Sequence, residues 1–156
     1  MRIKLLFRPI ISLSAIMMLL LFMACDDERE EYVPYVYVNF SIDLFINNSL
    51  ASPGYSYLVK DLTNGGPGYG GVIIYCEYYD FISPGNSIYH AFDATCTNEV
   101  DKKCTLTNEG NSFYAKCPCC GARFELFTGY PVDSLASYPL KEYSVYMMNS
   151  KLFVKN

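Results

Sequence analysis

From residue 32 onward, apolar and polar positions change over short runs, and no long stretch repeats at the helical period. Residues 35–44 are rich in aromatic and β-branched side chains, alternate strictly from Val38 to Leu44, and predict a strand. Residues 71–78 form a second such run, more continuously apolar from Val72 to Cys76. A third, residues 87–93, follows the turn sequence Ser83-Pro84-Gly85-Asn86. Short strands divided by turn chemistry predict an all-β domain. Residues 35–156 show no internal repeat and no shift of composition, so they read as one domain. The 15 tyrosines then fit a tyrosine-rich sheet surface and need no binding role.

The beginning of the chain follows another pattern. Arg2, Lys4 and Arg8 precede a largely apolar stretch of 15 residues, 10–24. Crossing a bilayer takes roughly 20 apolar residues, so residues 1–24 are expected to be a secretory signal peptide. Phe22-Met23-Ala24-Cys25 resembles a bacterial lipobox, which implies cleavage before Cys25 and lipidation of that cysteine. An ordinary signal peptide or a signal anchor is the competing reading. On the lipoprotein reading, residues 25–34 are an acidic tether and the membrane is a partner through Cys25. The expected location is the bacterial cell envelope, at the outer membrane. The run Asp26-Asp27-Glu28-Arg29-Glu30-Glu31 also resembles surface-export signals of some Gram-negative lipoproteins.

Charge and composition narrow the function. Removing residues 1–24, with three basic residues and no acidic one, moves the formal charge from -4 to -7. That acidity argues against nucleic acid as a partner. Gly66-Pro67-Gly68-Tyr69-Gly70-Gly71 has the letters of a dinucleotide loop, but it precedes a predicted strand and opens no helix, so a plain loop is expected. The single histidine, His90, sits within the third predicted strand and has no cysteine or serine nucleophile assigned to it. No carboxylate pair stands out either. The expectation is a protein that is not an enzyme, with an unknown protein partner.

Five of the seven cysteines fall between Cys96 and Cys120. Such crowding points to a metal site or a disulfide framework. Cys117-Pro118-Cys119-Cys120-Gly121-Ala122-Arg123-Phe124, followed by Thr128-Gly129, resembles the second cluster-binding box of Rieske iron-sulfur domains. Phe92-Asp93-Ala94-Thr95-Cys96-Thr97-Asn98 resembles the strand and first box, and residues 138–146 and 152–154 resemble the closing strands. The resemblance implies an antiparallel β-sandwich with cysteine-rich loops. It also implies that Cys96 and Cys117 stand where one iron is held, and Asn98 and Cys120 where two histidines would hold the other. Both histidines are missing, so a centre with two cysteine and two histidine ligands is excluded by composition. The family's loop-clamping disulfide would fall on Cys104 and Cys119. Ala122 replaces a serine, and residues 132–137 replace the family's proline loop.

Three readings follow. One is a Rieske-like domain without a cluster, its cysteines partly or wholly oxidised, in a binding or structural role, since oxidising export favours cystine. Another is an electron carrier with an altered [2Fe-2S] cluster held by Cys96, Cys117 and Cys120, with Cys104 or Asn98 as the fourth ligand. The last is a structural zinc site drawn from the same thiolates; Cys117 and Cys120 have knuckle spacing, but Cys96 and Cys104 do not form a matching pair.

Overall fold

The computed structural model describes residues 32–61, 67–108 and 112–156. The signal segment 1–24, Cys25 and residues 26–31 of the tether therefore lie outside the described residues. Among the described residues no helix is long and apolar enough to cross a membrane.

The architecture is all-β. In chain order the strands are β1 (Asn39–Asp43), β2 (Ser56–Val59), β3 (Val72–Tyr78), β4 (Ile88–Asp93), β5 (Tyr114–Lys116), β6 (Arg123–Glu125), β7 (Glu142–Met148) and β8 (Lys151–Lys155). Six of them form one antiparallel sheet in the order β1-β8-β7-β4-β3-β2, and β5 and β6 form a separate hairpin.

Strand β3 shows why the sequence builds two layers of core. Side chains alternate across a strand. Ile73 and Tyr75 enter a cluster with Phe92, Leu106, Phe124, Leu126 and the cysteine loops, while Val72, Ile74 and Cys76 enter a second with Val38, Leu50, Ala91, Leu152 and Val154. The continuous apolar run noted in the sequence is thus a strand buried on both faces.

The predicted strand 35–44 is shortened to Asn39–Asp43. Its partner β8 stops at Lys155, and the Asn156 side chain takes over pairing, donating to Val36 O at 2.7 Å and accepting from Val38 N–H at 3.1 Å. Packing nevertheless begins before residue 35. Val33 is buried, and Tyr32 stacks on Tyr138 with ring centroids 3.4 Å apart.

At one end of β4, Asp93 is fully buried and ties three segments together. Its carboxylate accepts from the backbone N–H of Tyr69 (2.6 Å), Gly70 (3.1 Å) and Thr95 (2.9 Å), from the Thr95 hydroxyl (2.5 Å) and from the Tyr143 hydroxyl (2.8 Å). The glycine-rich loop does cradle an anion, but that anion is the chain's own aspartate. Gly70 packs so closely on Thr95 that a Cβ there would sit 2.9 Å from the Thr95 nitrogen, which explains the glycine.

Candidate metal centre

Both cysteine boxes are loops closed at the neck by backbone hydrogen bonds. Residues 95–105 return on themselves through a Thr95–Thr105 bridge, and Cys96 N–H donates to Cys104 O at 2.9 Å. In the second box Cys117 N–H donates to Ala122 O at 2.8 Å and Gly121 N–H to Cys117 O at 2.9 Å. Gly121 has φ +82°, a left-handed conformation that glycine adopts without a Cβ penalty. That turn presents Cys117 inward and leaves Cys119 exposed.

Cys104 and Cys119 are joined in a disulfide, with Cα atoms 6.3 Å apart, which clamps one loop to the other. Beside it the sulfurs of Cys96, Cys117 and Cys120 all lie within 4.8 Å of one another. Cys96 Sγ and Cys120 Sγ are 3.7 Å apart. Cys96 and Cys117 are fully buried, Cys120 is half-buried, and Asn98 is exposed.

The three sulfurs are not equivalent. Burial pushes the Cys96 thiol well above its ordinary range, hydrogen bonds to the sulfurs of Cys117 and Cys120 push the same way, and the Asn98 backbone N–H partly opposes them. Burial also acts upward on Cys120. There the Ala122 N–H and the side chains of Cys117, Asn98 and Cys96 outweigh it and leave the thiol below its ordinary value. Lys102, paired with Glu99 at 2.6 Å, is held above its usual range first by that carboxylate and further by Cys120 and Cys117.

Two other residues stand apart from this group. Cys76 has no solvent exposure and lies in the second core cluster, where burial raises its thiol to about 11 and the neighbouring Tyr89 hydroxyl opposes the rise only in part. It is unpaired, so the six cysteines beyond Cys25 do not form three disulfides; the described free cysteines are Cys76, Cys96, Cys117 and Cys120. Its place in a doubly buried strand was the sequence signal for that separation. His90 is on β4, hydrogen-bonded to Glu77 at 2.6 Å and stacked near Phe92.

The arrangement is the one that the sequence resemblance implies: two cysteine loops, one following a sheet strand and one tipped by Cys-Pro-Cys-Cys-Gly, meet over a β core and are clamped by a disulfide. Its donor set does not fit a Rieske centre. The positions where the resemblance would place two imidazoles hold the Asn98 carboxamide and the Cys120 thiol.

No family model matches the chain. No curated protein matches it either. Among solved structures it is similar to the complex of reduced oxygenase and oxidized ferredoxin in carbazole 1,9a-dioxygenase, at 18% identity over 76% of this chain and 93% of that one, with a TM-score of 0.46. It is also similar to the Sphingomonas yanoikuyae B1 ferredoxin, at 17% identity over 67% and 88%, TM-score 0.45. A ferredoxin of carbazole 1,9a-dioxygenase from Nocardioides aromaticivorans IC177 gives 18% over 78% and 98%, TM-score 0.44.

Proposed function

We propose that the chain is a bacterial envelope lipoprotein, anchored through Cys25, whose Rieske-like domain has no Rieske cluster and serves as a binding or structural module. The observation that supports this most directly is that an asparagine, Asn98, and a thiol, Cys120, stand at the two positions where the resemblance would need imidazoles. The Cys104–Cys119 disulfide supports it further, because the clamp holds the loops together with or without a cofactor. The partner is a protein at the membrane, and the domain performs no catalysis of its own.

A second reading has its own support. Three converging sulfurs, two of them buried, are the kind of donors an iron-sulfur cluster takes, and would make the domain an electron carrier. Iron and acid-labile sulfide analysis of the exported protein separates the two. The first reading expects less than a tenth of an iron per chain, as an order-of-magnitude bound on adventitious metal. Close to two irons and two sulfides would replace it with the second.

A further inference from the structure

We propose that Cys96, Cys117 and Cys120 bind a single divalent, thiophilic ion of the zinc class. This rests on the reading above that no Rieske cluster is present, and it gives that same site a ligand. The first argument is spacing. A metal-sulfur bond of about 2.3 Å sets tetrahedral sulfur-sulfur edges of about 3.8 Å. Cys96 Sγ and Cys120 Sγ lie 3.7 Å apart, and Cys117 Sγ is within 4.8 Å of both. In a two-iron cluster of the Rieske type, Cys96 and Cys120 would belong to different irons, separated by bridging sulfides. Here they occupy one edge around one point.

The second argument is the count of donors. The disulfide removes Cys104 and Cys119 from the ligand pool, although both lie beside Cys117. Cys76 is in the other core cluster. Three thiols therefore remain, an odd number that cannot all be consumed by pairing within the site. Three protein ligands leave a fourth corner of a tetrahedral ion for water or for the Asn98 carboxamide oxygen, and the exposure of Asn98 and Cys120 gives that corner access to solvent.

Donor chemistry points the same way. Thiolate donors select soft or borderline ions over magnesium or calcium.

The test uses the whole exported protein with its disulfide intact. Elemental analysis after growth with zinc is expected to give one zinc per chain. Three thiols are expected to resist a thiol reagent in the native protein until a chelator is added, apart from buried Cys76, which needs denaturant. Cobalt(II) titration of the chelated protein is expected to saturate at one equivalent with a thiolate-to-cobalt charge-transfer band. Cys120→Ser should weaken that band and lower affinity on the order of tenfold or more. Zinc-free protein whose site thiols react freely, or a Cys96–Cys120 disulfide found by mass spectrometry, would overturn the proposal while leaving the cluster-free reading standing. Two irons and two sulfides per chain would overturn both. Unchanged cobalt binding by Cys120→Ser would overturn the ligand assignment, and the wild-type zinc content needs no variant to fold.

Discussion

The Tyr143 hydroxyl donates to the Asp93 carboxylate at 2.8 Å, across 50 residues of sequence. Because the same carboxylate accepts from Tyr69, Gly70 and Thr95, it fixes the glycine-rich loop, the end of β4 and the start of the first cysteine loop against β7. Asp93→Asn keeps the shape but turns an acceptor oxygen into a donor facing other donors. We expect a loss of about 3 kcal/mol in urea unfolding, since hydrogen bonds to a buried charged group are the stronger ones. A loss under about 1 kcal/mol would mean that the loop is held by something else.

Removing the disulfide tests how far the loops depend on it. Cys104 and Cys119 are separated by 15 residues, and a closed loop of that size constrains the unfolded chain by about 3 kcal/mol. The double substitution Cys104→Ala and Cys119→Ala should lower stability by that order under oxidising conditions. Under full reduction the wild type and the variant should converge; a gap that persists would assign the effect to packing.

Cys120 should be the first of the free cysteines to react in the ion-free protein. It alone among them is not fully buried, and its hydrogen-bond donors favour the thiolate. Alkylation rate follows thiolate fraction, so the rate should rise with pH through a midpoint below the ordinary thiol value of 9.0. Peptide mapping across pH checks it. A midpoint at or above that value, or labelling of Cys96 first, would contradict the assigned hydrogen bonds. Cys76, raised to about 11 by burial, should label only on unfolding.

Gly129 gives a steric test within the second box. Its φ is +74°, and a Cβ there would lie 2.7 Å from Phe92 Cε1. Gly129→Ala combines left-handed strain with a clash against a buried ring, and a loss of about 1–3 kcal/mol is expected from the backbone alone. A loss confined to that range, read by thermal unfolding, would show that Phe92 can yield, and a neutral substitution would contradict the left-handed strain itself.

Much of this architecture was legible in the sequence, for reasons visible in particular residues. The runs 71–78 and 87–93 became β3 and β4 within a residue, because continuous apolar stretches and flanking turns leave few other structures. The Cys-Pro-Cys-Cys-Gly turn was legible for the same local reason. Less legible were features set by contacts distant in sequence. Nothing near Asp93 marks it as a hub for Tyr69 and Tyr143, and the start of β1 depends on where β8 ends. Cys76 illustrates the difference most plainly. By count it is one of six cysteines beyond Cys25, an even set open to full pairing, whereas strand alternation turns it to the core face opposite the loops.

The covalent clamp between the loops also bears on how such a domain changes over generations. A site assembled only by its metal loses its shape with its first lost ligand, so replacements there are purged together with the fold. Here the Cys104–Cys119 bond holds both loops independently of whatever lies between them. Ligand positions such as Asn98 and Cys120 are then released from the duty of maintaining the scaffold. Substitutions at those positions can accumulate one at a time in a protein that remains folded, which makes the site open ground for a change of ligand.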